Sequence, residues 1–179
     1  MRRLLWSAAW LLFFAAAISP ANAQMGPPTP AAELKKLEMF AGDWTAEGTQ
    51  APQPGAAPSR WTMTTHAEWM EGNFFLVERS DLDLGPMGKG KSLALMGYDP
   101  ERAVYTYRAF SSFGEVEDAA GKWEGDTFTW TSTEHMGGKA MQGRFTMKIV
   151  SPMSYSMKFE LSPDGKQWVA AMEGKATKK

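Results

Sequence analysis

The chain has 179 residues, carries 19 Lys+Arg against 20 Asp+Glu for a formal net charge of −1, and contains no cysteine. That balance lacks the basic footprint of a nucleic-acid binder, and none is expected as a partner. The missing cysteine excludes disulfide bonds and a lipid anchor on an N-terminal cysteine, so packing alone must hold the fold.

The first residues read as a secretory signal peptide. Arg2 and Arg3 form a basic start, Leu4 to Ile18 is almost wholly apolar, and Ala21-Asn22-Ala23 is a small-residue cleavage site. The apolar run is short for a bilayer span. Residues 1–23 are therefore expected to be removed, leaving a periplasmic or secreted protein with no stable membrane span. Gln24 to Thr29 is a Gly/Pro-rich flexible segment, and residues 30–179 form one domain. That domain opens with a short helix. Thr29 suits its cap, Pro30 its first position, and Leu34, Leu37 and Phe40/Ala41 share one face before Gly42 ends it.

From Trp44 onward the apolar period changes from helical to two. Met141, Phe145, Met147 and Ile149 alternate with Gln142, Arg144, Thr146 and Lys148, and Met153 to Leu161 alternates in the same way. Turn signals recur at regular short intervals, among them Glu71-Gly72-Asn73, Asp99-Pro100, Gly125-Asp126 and Pro163-Asp164-Gly165. They separate ten strands near 43–50, 60–70, 74–82, 91–98, 103–111, 114–123, 127–134, 140–150, 153–161 and 166–175. Ten meandering strands with one apolar face and no later helix to cover it predict an all-β, antiparallel up-and-down barrel, with a sandwich as the alternative.

The face predicted to line the interior is rich in aromatic residues and methionine. Trp61, Met63, Trp69, Tyr105, Tyr107, Trp130, Met147, Tyr155, Met157 and Trp168 are the candidate ligand-binding residues, with Phe128, Phe145, Phe159 and Met172 on the same face. Methionine and aromatic walls adapt to irregular apolar ligands, and barrels of this size can enclose a ligand cavity or be filled by side chains. Gln50 to Arg60 and Leu84 to Lys91 follow odd-numbered strands and so share one end of a meander, as linkers or as a portal. Glu78 and Arg79 follow Phe74-Phe75-Leu76-Val77, which is apolar on both faces, and either charge can point inward. Alternation sends His66 and Arg108 outward and leaves His135 in a turn. The two histidines form no metal-ligand spacing, and Gly88-x-Gly90 lacks the strand–helix context of a phosphate loop.

The segments "LEMFAGDW", "AEWMEGNFFLVERSD", "ALMGYDPERAVYTY", "GKWEGDTFTW" and "LSPDGKQWVAAME" resemble an uncharacterised family of small exported bacterial barrel proteins, a family with a domain of unknown function. More distantly, a short helix followed by Gly42-Asp43-Trp44 is similar to the lipocalin-like (calycin) superfamily. That resemblance implies a lipocalin-like barrel in which the indole of Trp44 helps close one end. A ten-strand barrel also resembles nitrobindin, whose haem-ligating histidine lies toward the last strand. Here "KQWVAAMEGKA" has no histidine, so haem is not expected and no cofactor is implied. The leading functional expectation is an exported, non-enzymatic barrel binding a small apolar or amphipathic molecule. The alternatives are a barrel enzyme, an isomerase or hydrolase using interior Tyr, Arg or Glu, and a filled-core structural or interaction module.

Overall fold

A computed structural model describes residues 28–51, 57–136 and 138–179. The signal-peptide expectation and most of the loop between the first two strands lie outside them. Ten strands run in chain order: β1 Gly42–Gln50, β2 Ser59–Trp69, β3 Leu76–Asp83, β4 Lys89–Asp99, β5 Val104–Ser111, β6 Val116–Glu124, β7 Thr127–Met136, β8 Lys139–Ser151, β9 Ser154–Ser162 and β10 Val169–Lys178. Each pairs antiparallel with the next, and β1 pairs with β10 from Trp44↔Lys178 to Gln50↔Met172. The sheet therefore closes, and no edge is left to template aggregation. His135, expected in a turn, lies in β7, because the ladder with β8 continues through His135↔Ala140.

The helix ahead of β1 is 3₁₀ rather than α and spans Ala32–Phe40. Leu34, Leu37 and Phe40 are all buried and fall three residues apart, which is one full turn of a 3₁₀ helix and places them on a single edge. Ala31, not Thr29, stands at its N-cap. Its carbonyl takes the first bond, from Leu34 N at 3.1 Å, and no side chain caps the helix. The end comes at Ala41, whose extended backbone leads into Gly42 at φ 101°.

This helix plugs one end of the barrel. Phe40 enters between Trp123, Phe128 and Tyr155, with ring centroids 6.1, 6.1 and 5.8 Å away. Three hydrogen bonds fix the plug: Trp44 Nε1 donates to Phe40 O at 2.9 Å, Tyr105 Oη to Glu33 O at 2.9 Å, and Trp69 Nε1 to Glu38 Oε2 at 2.6 Å. Trp44 and Tyr105 thus bury their rings and still satisfy their polar atoms, and half-buried Trp69 is anchored in the same way. Trp44 is a sealing residue of this closed end.

The outer face is charged. Arg79 bonds Glu68 at 2.8 Å, Arg108 lies 3.4 Å from Asp118, and Lys91 pairs with Asp81. A membrane-spanning barrel shows the inverse pattern, with its apolar band outside. The apolar doublets of β3 are explained by a short outer strip in which Phe75 lies over Gly97, where any side chain would collide with the ring.

Candidate ligand-binding lumen

The two ends of the barrel are filled differently. At the plugged end Leu37, Leu76, Met96, Phe128 and Ala176 are buried, and Trp69, Tyr98, Trp123 and Ile149 around them are partly exposed. Toward the other end, inward Met63, Glu78, Tyr107, Glu117, Ala119, Phe145, Phe159 and Met172 keep part of their surface accessible. In a closed barrel, accessible surface on an inward side chain faces a lumen.

Ladder register shows why space is left there. One hydrogen-bonded row crosses the wall as Ala67↔Glu78↔Ala94↔Ala109↔Glu117. Three alanines on this row contribute only methyl groups, so the two glutamates project past their neighbours. The carboxylates are three strand spacings apart, roughly 14 Å around the wall. The next inward row toward the mouth is hydroxylic: Thr65↔Ser80↔Ser92↔Ser111, with Thr65 Oγ1 and Ser80 Oγ 2.8 Å apart. Tyr107 lies one row nearer the plug.

The opposite wall is apolar. It is built by Trp130, Phe145, Met147, Met157, Phe159, Met172, Trp61 and Met63 from β7 through β10 and β2. Glycines on nearby strands receive the large rings. Trp61 lies over Gly174 and Trp130 over Gly121, and a Cβ at either glycine would overlap the indole. Trp61 also donates from Nε1 to Thr49 O at 3.2 Å. The lumen is thus two-sided, with a stripe of carboxylate and hydroxyl groups facing methionine and aromatic rings.

Electrostatics follow from the burial. Desolvation raises Glu78 to about 7, and no described residue hydrogen-bonds its carboxylate. Glu117 is also raised to about 7, first by desolvation and then by the charges of Glu134 and Glu115. Tyr107 is pushed well above the usual phenol range, chiefly by burial and then by Glu78 and Glu117. Among the described residues, the inward positions between plug and mouth hold Glu78, Glu117 and Glu134, and the basic residue in phase with them, Lys139, is exposed at the outermost pair of the β7–β8 hairpin. Lys178 also faces inward, but at the plug, where its Nζ reaches Met39 O at 3.5 Å and lies 5.5 Å from the Trp44 ring.

The mouth is formed by the connections after odd-numbered strands. Of Leu84 to Lys91, only the start is a loop. Residues 85–87 make a 3₁₀ turn, and β4 already begins at Lys89. Buried Gln50 donates to Leu84 O at 2.8 Å and ties this loop to β1. Across the mouth, the Phe113 ring occupies the space beside Gly90.

The ten sequence candidates divide accordingly. Met63 and Tyr107 keep lumen-facing surface. Trp61, Trp130, Met147 and Met157 face inward but are buried within the wall. Trp69, Tyr105 and Tyr155 belong to the plug. Trp168 is a correction, because it is on the outside. A β-bulge between Ala170 and Met172 inserts a residue into β10 and reverses the phase of everything before it. Trp168 consequently lies under Arg144, whose guanidinium sits 4.0 Å from the ring, and Ala170 is exposed rather than inward. Burial would raise Glu160 beneath this cluster, but hydrogen bonds from Lys158 and Arg144 outweigh it and hold the carboxyl below its usual range. Trp168→Ala is expected to leave binding in the lumen unchanged and to cost about 1 kcal/mol of stability through the lost cation–π contact, readable by probe titration and urea melts.

The open choice at Glu78 and Arg79 resolves with Glu78 inside and Arg79 outside. The inward glutamates Glu117 and Glu134 have no counterpart among the sequence candidates. The signal was parity: Glu117 is in phase with Trp123, and Glu134 with Trp130. His66 is outward as expected, 2.7 Å from Asp43, and His135 is also exposed. Neither histidine of the chain is therefore placed to ligate haem iron in the lumen, and the inward donors do not fit a histidine-ligated haem. Two open depressions mark the outer wall, one over Arg144, Lys158 and Glu160 and one over His66, Arg79 and Lys91. Both contain ion pairs, Arg144–Glu160 and Lys158–Glu160 in the first and His66–Asp43 and Lys91–Asp81 in the second.

A closed ten-strand antiparallel meander with a short N-terminal 3₁₀ helix over one end defines an up-and-down barrel protein. The chain belongs to the family described as "Protein of unknown function (DUF1579)", which matches residues 29–178. Among solved structures it is similar to the crystal structure of Rv2717c from M. tuberculosis, with a TM-score of 0.56 and 12% identity over 84% of this chain and 99% of that one. Likeness at that identity concerns the fold alone. No curated protein matches the chain.

Proposed function

We propose that this protein is exported and that its barrel binds a small amphipathic molecule in the lumen. The observation that carries the reading is the two-sided lumen: inward residues of the mouth half retain surface, polar on one wall and apolar on the other. A ligand with an apolar body and one polar end matches both walls at once, and little else would favour keeping carboxylates at positions where an apolar core packs better. The plug makes the site blind, so ligand enters and leaves past Phe113 and the 84–88 loop.

The neutral fluorophore N-phenyl-1-naphthylamine tests this. Saturable binding at one site is expected, with a Kd in the micromolar range, roughly −8 kcal/mol. Met63→Trp, which enlarges a lumen-facing side chain, is expected to abolish it while the circular dichroism spectrum stays that of the parent. A folded parent protein that gives no saturable fluorescence change overturns the reading.

A further inference from the structure

The lumen carries an imbalance of charge. Glu78, Glu117 and Glu134 face it from β3, β6 and β7, while the basic residue in phase with them above the plug, Lys139, is exposed at the rim of the mouth, away from Glu78. The three are not equivalent. Glu134 accepts a hydrogen bond from Ser132, and Glu117 stands beside it near the mouth. Glu78, on the same row as Glu117 but more fully buried, lies between the methyls of Ala67 and Ala94 and has no partner. Its surroundings can be named from every side. β2 contributes Ala67 and Thr65, and β4 contributes Ala94. Titratable groups arrive only from across the lumen, namely Tyr107 of β5, Tyr155 of β9 and Glu117 of β6. The charges of its own strand and of β2 outside, Arg79, Glu68 and His66, pair with one another and with Asp43 on the far side of the sheet.

A desolvated carboxylate with room beside it and no counterion lacks a cation. We propose, resting on the lumen-binding reading above, that the ligand is an amphipathic amine whose ammonium group pairs with Glu78, its apolar tail lying against Phe145, Phe159, Met63 and Met172. The alanine row supplies the space for the ammonium, and the hydroxyls of Ser80 and Thr65 on the next row stand ready to accept its remaining hydrogens. Tyr107, close enough for Glu78 to raise its phenol, faces the same space. A neutral lipid of equal length fills the apolar wall but leaves the carboxylate as it was.

The test compares octylamine with octanol by isothermal titration calorimetry on the purified protein. Octylamine stays protonated across the range, whereas the Glu78 carboxyl ionises near pH 7. Octylamine affinity is therefore expected to rise about tenfold between about pH 6 and about pH 8, with octanol flat. At the higher pH octylamine is expected to bind at least ~10-fold more tightly than octanol. Glu78→Gln is expected to erase that preference and the pH dependence, and thermal melts of the variant confirm that it folds. Equal binding of the two probes, untouched by Glu78→Gln, overturns the amine assignment and leaves lumen binding standing. Loss of the preference in Glu117→Gln but not in Glu78→Gln overturns the choice of residue. Failure of both probes to bind removes the lumen-binding reading and the amine with it.

Discussion

Phe40→Ala lowers the free energy of unfolding by about 3–5 kcal/mol, the range for deleting a packed aromatic side chain. Phe40 is 2% exposed and is the side chain through which the helix enters the barrel, against Trp123, Phe128 and Tyr155. Truncating it opens a cavity that the surrounding strands cannot collapse to fill, because their ladders fix their spacing. The same change at Phe145 is expected to cost only about 1–2 kcal/mol, because part of that ring already faces the lumen and its removal enlarges an existing space. Urea unfolding with unchanged slope and shifted midpoint reads both. Equal losses at the two positions would mean that the barrel is packed from end to end, and the hollow half would have to be abandoned.

Stability of the empty protein is expected to fall as pH rises from about 5 to about 8, in a step attributable to Glu78 and Glu117. Both carboxyls sit near 7 in the folded chain. In the unfolded chain they return to the ordinary carboxylate range. Between those values the folded state holds protons that the unfolded state has released, so each rise in pH favours unfolding. The full shift corresponds to about 3 kcal/mol per group. Water in the lumen reduces this to the order of 2 kcal/mol. Glu78→Gln is accordingly expected to be more stable than the parent at about pH 8, by roughly 2 kcal/mol, and nearly equal to it at about pH 5. His66 acts in the same direction. Its hydrogen bond to Asp43 raises its pKa and adds stability that is lost above its usual range. Since it lies on the outer face and is unaltered in Glu78→Gln, the difference between parent and variant isolates the lumen carboxyl. A variant no more stable than the parent at the higher pH would show that Glu78 is already well solvated or partnered.

The architecture was legible because two signals agreed. Period-two alternation in strands such as β8 and β9 marked a single buried face, and turn residues set the strand lengths. The ladder from Gln142↔Ser162 to Lys148↔Ser156 keeps the expected sides throughout. The lumen was legible only in its apolar half. Sequence logic sends charge outward, so Glu117 and Glu134 drew no notice although they share parity with Trp123 and Trp130. In β6 the inward positions are Glu117, Ala119, Gly121 and Trp123, a set with too little apolar contrast to reveal a face. Trp168 misled for the opposite reason. Its aromatic character fitted the inner wall, and nothing in "KQWVAAM" announces the bulge that turns it outward. Tertiary placement also separated plug from wall: Tyr105 and Tyr155 looked like lumen residues until the helix was seen to lie over them.

Closure of the sheet joins the beginning of the domain to its end, with Trp44 beside Lys178 and Gln50 beside Met172. The chain between them must be synthesised before that seam can zip. Such distant pairings carry a loop-closure entropy that is met only when both termini are present, and they slow folding relative to local contacts. Until β10 arrives, β1 is an open edge and the helix has no complete rim to seal. A chain that lacks β10 cannot close this sheet. The tenth strand both closes the sheet and, through Lys178 Nζ donating to Met39 O, ties the end of the domain to the helix that begins it.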